Sequence, residues 1–236
     1  MGRSNFKPGT LHAPLPAVMV TVGNMTEANV LTVAWTGILS TDPARTYISV
    51  RPGRHSHKFI TDSGEFVINL TTKELAYATD YAGIYTGAKV DKFDKLSLTK
   101  VESSCVAAPT IKECPLALEC KVFDVLHFGT HDVFMADIVN VSCDESILDK
   151  NGRICLDRAG LMAYAHGEYF ELGKKLGKFG FSAVKGAKPP RLGQRTDKSE
   201  PQADRARTAS PRRKSAYSTG KGKRSTSSKK KKEHNK

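Results

Sequence analysis

Charge and apolar content change together near residue 182, and this change limits which part of the chain can fold. Residues 183–236 contain 18 Lys and Arg, 4 Asp and Glu, and only nine apolar residues. Residues 1–182 contain 19 basic and 20 acidic residues, so the net charge of +13 divides into −1 and +14. A segment so poor in apolar residues cannot bury enough surface to offset the entropy of ordering it. We therefore expect a folded unit within residues 1–182, followed by a disordered, Lys- and Arg-rich tail over residues 183–236.

Several protein classes are disfavoured by simple patterns in the chain. No run approaches the ~20 apolar residues of a membrane-spanning helix, and residues 1–10 lack the apolar core of a secretory signal. The five cysteines contain no C-x-x-C pair, which argues against a disulfide framework or a zinc ribbon. We expect a cytoplasmic protein without a membrane span, whose cysteines are small core residues.

Short β-branched and aromatic runs separated by turn-forming residues predict a mainly β fold. The predicted strands are residues 18–22, 30–35, 46–50, 65–70, 116–123 and 133–141. Apolar residues at helical spacing predict short helices over residues 56–63 and 73–81, and a third over 169–176. Many strands, few helices and no βαβ rhythm favour a β-barrel over a doubly wound sheet.

The densest polar cluster is residues 49–56 (SVRPGRHS), where a predicted strand gives way to a predicted helix. Arg51 and Arg54 carry planar guanidinium groups that match phosphate oxygens, and Ser49 and Ser56 add hydroxyl donors. Ser56 occupies the expected N-cap position, where free backbone N–H groups favour an anion. The cluster predicts a site for a small phosphorylated ligand; the alternative is an exposed turn with two solvated arginines.

Two further clusters indicate contacts to a flat ligand. Trp35, the one tryptophan of the chain, ends a predicted strand and is followed by Thr and Gly. Its indole suits stacking on a planar ligand, although plugging the core is the alternative. The segment 87–93 (GAKVDKF) places lysine in a turn, where it stabilises negative charge on a nearby heterocycle; the alternative is a plain surface turn.

His127 and His131 are four residues apart, but this spacing does not predict a metal site. The intervening residues lack the glutamate of the zinc-peptidase pattern, and Gly129 argues against a helix there. His131 is interpreted as a loop residue near a ligand, or as a surface histidine. No nucleophile elbow or Cys–His neighbour occurs, so the catalytic residues are left unassigned.

Taken in order, eight segments of the chain resemble the flavin reductase-like family, especially its flavoredoxin branch. The resemblance covers roughly residues 12–182. The matching segments are residues 29–37 (NVLTVAWTG), 49–56 (SVRPGRHS), 65–70 (EFVINL), 90–93 (VDKF), 113–116 (ECPL), 119–122 (ECKV), 129–134 (GTHDVF) and 177–182 (GKFGFS).

This resemblance implies an FMN-binding split β-barrel with a few short helices, and a homodimer with one flavin near each side of the interface. It assigns the phosphate and ribityl contacts to Arg51, Arg54, Ser49 and Ser56. It assigns the isoalloxazine pocket to Asn29, Ala34, Trp35 and Thr36. Groups close to the flavin ring are expected at Lys92, His131 and Tyr164.

Three functions remain open from the sequence. The first is an FMN-dependent oxidoreductase that passes electrons from NAD(P)H or a protein donor to an acceptor. The second is a non-enzymatic FMN-binding electron carrier. The third is a nucleic-acid-associated protein acting through residues 183–236, whose weak, salt-sensitive contacts are also compatible with an anionic surface or a solubilising role.

Overall fold

Strands dominate the computed structural model, which describes residues 2–183. The predicted tail lies outside the described residues except for Ala183, and the predicted boundary at residue 182 stays a prediction. Residues up to Lys178 form one compact unit, and Phe179 begins a second. The strands are β1 (Leu15–Pro16), β2 (Val18–Gly23), β3 (Ala28–Val33), β4 (Thr36–Thr41), β5 (Ala44–Val50), β6 (Glu65–Leu70), β7 (Lys100–Val101), β8 (Thr110–Ile111), β9 (Leu116–His127), β10 (Asp132–Cys143), β11 (Met162–Ala165) and β12 (Glu168–Glu171).

Three α-helices accompany these strands within the described residues: α1 (His55–Ser63), α2 (Ala76–Ile84) and α3 (Lys92–Lys95). Helix α1 ends at Gly64, whose φ of 67° allows its N–H to bond the Ile60 carbonyl. Short 3₁₀ turns cover Lys73–Leu75, Glu145–Ile147, Leu156–Arg158 and Phe181–Ala183. The mainly β class with few short helices is confirmed.

The helix predicted over residues 169–176 is wrong. Residues Glu168–Glu171 form β12, which pairs antiparallel with β11 in a hairpin. His166 and Gly167 make the turn with positive φ angles of 50° and 91°. Tyr169 is half-buried and Phe170 is exposed, as expected for the alternating side chains of a strand. A segment of four residues is too short for its apolar pattern to distinguish a strand from a helix.

The main sheet rolls into a barrel because its two end strands are adjacent along the chain. Its seven strands run in the order β3-β2-β6-β9-β10-β5-β4, with antiparallel pairing throughout. Strands β3 and β4 stand at opposite ends of that order, yet only Ala34 and Trp35 separate them. The sheet must therefore curl until β3 lies against β5. We call the region where these strands meet, around Ala34 and Trp35, the seam.

Alternate residues of β2 explain how both faces of the barrel wall are covered. Val18, Val20 and Val22 pack inside the barrel with residues such as Phe66 and Phe134. Met19 points to the other face, where it packs with Ala78 of α2 and Phe93 of α3. Helices α2 and α3 thus lie outside the barrel wall, next to the seam. No helix among the described residues is long and apolar enough to cross a membrane.

Candidate functional site

A cavity of about 450 Å³ opens at the seam, within the size range of ligand pockets. Its walls come from the end of β3, the Ala34–Trp35 link, the end of β5, helix α2 and the β11–β12 hairpin. We call it the large cavity. Seven of the residues predicted from the sequence line it: Ala34, Trp35, Ser49, Arg51, Arg54, His131 and Tyr164.

Trp35 forms part of the wall and is not a plug of the core. Its side chain is 37 % exposed, and its ring lies 4.5 Å from that of His131 at an angle of 42°. The Ser49 N–H donates to the Trp35 carbonyl at 2.9 Å, which anchors the link to β5. A broad apolar face is therefore held at the mouth of the cavity by backbone contacts.

Arg51 and His131 are joined at the same wall. Arg51 Nε donates to His131 Nε2 at 3.4 Å, and His131 Nδ1 lies 3.0 Å from Thr130 Oγ1. Burial, and then the Arg51 charge, lower the pKa of His131 from its ordinary value of 6.5. The imidazole is therefore mainly neutral at pH 7.

Another part of the wall is formed by the β11–β12 hairpin and α2, which contact each other. Tyr169 donates from its hydroxyl to Asp80 Oδ1 at 3.2 Å, and its ring lies edge-on to Tyr164, with centroids 5.5 Å apart. Burial, and then the Asp80 charge, raise the pKa of Tyr169 to about 12. Both Asp80 and Tyr169 line the large cavity, and neither was predicted as a site residue. Tyr169 lay in the wrongly predicted helix, whose side chains were not expected at the site.

A second cavity of about 90 Å³ adjoins the large cavity through Arg54 and Leu31, which line both. We call it the small cavity. Its polar lining includes Asn29, Ser56 and Lys92, each more than nine-tenths buried. The structure thus separates these three predicted residues from the wall that holds Trp35.

Lys92 brings a buried positive charge to the small cavity. Its Nζ donates to the backbone carbonyls of Val30 at 2.7 Å and Ala82 at 2.8 Å. Among the ion pairs of residues 2–183, none involves Lys92. Burial, and then the charge of Arg54, lower the pKa of Lys92 to about 8. A buried cation without a carboxylate partner is costly, so this cavity favours an anion.

Ser56 does not cap α1, contrary to the prediction. Arg54 is the N-cap residue, without a side-chain capping bond, and Ser56 lies in the first turn. Its Oγ accepts a hydrogen bond from Asn29 Nδ2 at 2.6 Å, while Arg54 Nη1 donates to the Gly83 carbonyl at 2.8 Å. The helix begins one residue earlier than expected because the chain turns directly after the proline and glycine that follow Arg51.

Thr36 lies just beyond the seam, at the start of β4. It is buried, and its hydroxyl donates to the Tyr47 carbonyl at 2.6 Å, bridging β4 and β5. The structure therefore uses this hydroxyl to hold the sheet next to Trp35.

A carboxylate flanked by two histidines lies on the neighbouring side of the barrel. Asp132 accepts from His57 Nε2 and His127 Nδ1, each at 2.7 Å. Hydrogen bonds from His127, and then from His57, hold the pKa of Asp132 below its usual range. Within residues 2–183 no three His, Cys, Asp or Glu side chains are arranged to hold a metal ion.

The cysteines differ in exposure, which corrects the expectation that all five are core residues. Cys114, Cys120 and Cys155 are buried, Cys143 is half-buried, and Cys105 is exposed. Burial raises the pKa of both Cys114 and Cys120 to about 12. These two thiols are therefore protonated at neutral pH and suit packing, not nucleophilic chemistry.

Comparisons with known proteins find the same fold in solved structures. Flavoredoxin of Desulfovibrio vulgaris (Miyazaki F) superposes with a TM-score of 0.72 at 32% identity, covering 78% of this chain and 100% of that one. Flavoredoxin from Methanosarcina acetivorans gives 0.71 at 24% identity, with the same coverage, and shows likeness of fold. An uncharacterized protein from Archaeoglobus fulgidus is 37% identical over 136 residues, which are 58% of this chain and 76% of the relative.

The match to a family model extends across the barrel and both cavities. The model described as the flavin reductase like domain matches residues 11–173. That range includes the seam, α1, α2, α3 and the β11–β12 hairpin. The resemblance identified from the sequence is thereby confirmed, together with the split-barrel fold. This chain belongs to the flavin reductase-like family, and its membership supports a flavin-related oxidoreductase activity.

Proposed function

We propose that this protein binds FMN and acts as a flavin reductase- or flavoredoxin-like oxidoreductase. It would accept electrons from NAD(P)H or a protein donor and pass them to an acceptor. FMN supplies the redox chemistry of such a reaction. The chain's own residues bind and orient the cofactor and exclude water from it.

The observation that carries this proposal is the uncompensated charge of Lys92 beside a cavity of phosphate size. Arg54 lines the same cavity, and the first turn of α1 begins there. An anion at this position would gain charge-assisted hydrogen bonds and relieve the repulsion between two cations. These residues fit the terminal phosphate of FMN.

The large cavity fits the remaining part of the cofactor. Trp35 offers an aromatic face, and the ends of β3 and β5 offer backbone groups for the polar edge of a flat ring. Arg51 and Ser49 lie on that wall, which supports a role for both toward the ring or the ribityl chain. A ribityl role agrees with the phosphate and ribityl contacts that the resemblance implied for both residues. Lys92, which the resemblance placed close to the flavin ring, is instead assigned here to the phosphate.

The small cavity supports FMN over FAD because its volume of about 90 Å³ suits a terminal phosphate better than the bulky AMP half of FAD. Titration of the purified chain with FMN, riboflavin and FAD, followed by flavin fluorescence and visible absorption, tests this choice. We expect one FMN per chain. Riboflavin, which lacks the phosphate, should bind about a hundredfold more weakly. Equal affinity for FMN and riboflavin contradicts the proposal.

Turnover separates a reductase from an electron carrier. We expect NADH or NADPH to be oxidised when free FMN is present as acceptor, at a rate well above that of free FMN alone. Bound FMN without such turnover supports the alternative of a non-enzymatic carrier that receives electrons from a protein.

We propose that the protein forms a homodimer through strands β4, β9 and β10. These strands carry six exposed apolar side chains: Ile38, Leu39, Phe123, Leu126, Val139 and Val141. An apolar surface of this kind is typical of a protein interface. Ultracentrifugation should give a dimer for the wild type and a monomer for Ile38→Asp. Tyr77→Asp, on the exposed side of α2, is the matched control and should remain dimeric.

A second candidate function is contact with nucleic acid through residues 183–236. Its basis is the segregation of charge, with +14 in this segment and −1 in the remainder. Such contacts would be non-specific and would weaken steeply with salt. An anionic surface is the alternative partner for the same charge.

A further inference from the structure

Arg51 lines the large cavity, and its side chain is exposed. Holding a long side chain in one orientation costs conformational entropy. The contact that holds it runs from its Nε to His131 Nε2, 3.4 Å away. Within residues 2–183 the two terminal nitrogens of the guanidinium donate no hydrogen bond, since the Arg51 side chain donates there through Nε alone.

The hydrogen bonds of His131 define which of its nitrogens carries the proton. Because Nε2 accepts from Arg51, the neutral ring must be protonated on Nδ1, which then donates to Thr130 Oγ1 at 3.0 Å. The Trp35 ring covers one side of the imidazole with centroids 4.5 Å apart. His131 therefore lies between Trp35 and Arg51 and contacts both.

We propose that His131 is a positioning residue that aims Arg51 into the large cavity through its neutral Nε2. A proton on Nε2 would replace the acceptor with a donor and place two cations side by side, so Arg51 would turn away. The inference rests on the proposed function in so far as FMN is the ligand measured. The proposal makes FMN binding depend on the protonation state of His131, which acts through Arg51 and need not contact FMN itself.

The charged groups around His131 leave Arg51 as its direct partner. Asp132 follows it in sequence, but both carboxylate oxygens are engaged by His57 and His127. The other titratable groups lining the large cavity are Arg54, Asp80, Tyr164 and Tyr169. Asp80 and Tyr169 bond each other, and Arg54 bonds the Gly83 carbonyl.

Two variants of His131 separate its acceptor from its ring. His131→Gln keeps an acceptor near Nε2 but does not titrate, whereas His131→Phe keeps the ring against Trp35 but removes the acceptor. At pH 7 we expect His131→Phe to weaken FMN binding about tenfold and His131→Gln by less than about threefold. Thermal melting of each apoprotein, followed by circular dichroism, verifies that the variants are folded.

A double-mutant cycle with Arg51→Ala tests whether the two residues act together. We expect Arg51→Ala/His131→Phe to bind FMN no more weakly than Arg51→Ala alone. Between pH 7 and pH 5 the wild type should lose more FMN affinity than His131→Gln or Arg51→Ala, because protonation of His131 turns Arg51 away only in the wild type. Protonation of the FMN phosphate is common to all three proteins and does not affect this comparison. Additive losses in the cycle, or equal losses in His131→Gln and His131→Phe, overturn the proposal.

An NMR measurement on the apoprotein tests the same contact without FMN. The nitrogen shifts of the His131 ring should show a proton on Nδ1 and a free lone pair on Nε2, and Arg51→Ala should raise the pKa of His131. A proton on Nε2 in the wild type overturns the proposal. Failure of the wild type to bind FMN at any pH overturns the proposed function instead.

Discussion

At the scale of single residues, the site depends on charges that are buried and incompletely neutralised. Lys92 is only 4 % exposed, and its hydrogen bonds go to carbonyl groups, which carry no full charge. Asp132 is the opposite case, since two imidazoles contact its carboxylate. The first arrangement favours binding of an external anion, whereas the second stabilises the chain itself.

Lys92 should make FMN binding sensitive to alkaline pH. Its pKa is about 8 in the free protein, and a bound phosphate would raise that pKa, so binding takes up a proton above pH 8. We expect FMN affinity to fall by up to about tenfold per pH unit above that value. Fluorescence titrations between pH 7 and pH 9 measure this slope.

The variants Lys92→Met and Lys95→Met provide the matched comparison, because both residues lie on α3 and Lys95 is exposed. Lys92→Met should bind FMN at least about tenfold more weakly at pH 7 and show no such slope. Lys95→Met should behave like the wild type. Unchanged affinity and slope in Lys92→Met would contradict the phosphate assignment.

Asp132 should contribute to stability at neutral pH. Its carboxyl pKa is lowered in the folded state, so its contribution is present above the unfolded pKa of about 4 and is lost as pH falls through the folded pKa. Asp132→Asn should lower the free energy of unfolding of the apoprotein by about 2 kcal/mol at pH 7. Urea denaturation at pH 7 and pH 3.5 should show a smaller difference at the lower pH; a constant difference would exclude an ionic origin.

At the scale of elements, short connections between strands and helices position the side chains that line the two cavities. The two-residue link between β3 and β4 exposes Trp35 at the seam, and the turn between β5 and α1 directs Arg51 and Arg54 to the cavities. The turn after α2 closes the small cavity through Thr86 and Gly87. Regular strands hold these connections in position, and the connections carry the side chains of the candidate site.

Gly87 should be required for the small cavity to keep its shape. A Cβ at this position would lie 2.2 Å from Asn29 Oδ1 and 2.5 Å from Asn29 Cγ. Gly87→Ala must therefore displace a buried amide that bonds Ser56, and we expect FMN to bind about tenfold more weakly. Gly173→Ala, whose Cβ would meet no atom within 4 Å, is the control. Titration with FMN checks both, and equal affinities would show that Asn29 moves without consequence.

The elements also show where local patterns were sufficient. The predicted strand 65–70 matches β6 in full, since a run this short directly after Gly64, buried on both faces, favours a strand over a helix. Strands β11 and β12 and helix α3 were missed because each has only four residues. Such short elements are stabilised by partners distant in sequence, as β11 is by β1.

At the scale of the whole molecule, the barrel and the basic segment should be separable. A chain ending at Ser182 retains the residues of both cavities and loses the segment of +14 charge. We expect its FMN affinity to stay within about twofold of the full chain, because all the residues proposed to contact FMN lie before residue 183.

Binding to a labelled single-stranded RNA should distinguish the full chain from the chain ending at Ser182. Fluorescence anisotropy should detect binding by the full chain that weakens steeply between about 50 and 200 mM salt, and no binding by the chain ending at Ser182. Loss of FMN from the shortened chain would show that the cavities depend on residues after 182. RNA binding by the shortened chain would assign it to the barrel.

The sequence alone determined the β-rich class, the charge division at residue 182 and a set of residue types suited to an anionic, planar ligand, because these follow from composition, period and ordered motifs. Only the tertiary structure decided that Arg51 and Trp35 share one cavity while Lys92, Asn29 and Ser56 share another. It also brought Asp80 and Tyr169 to the wall. The physical reason is closure of the barrel: rolling the sheet at Ala34 and Trp35 joins β3 to the end of β5, and no local pattern records which distant side chains then meet.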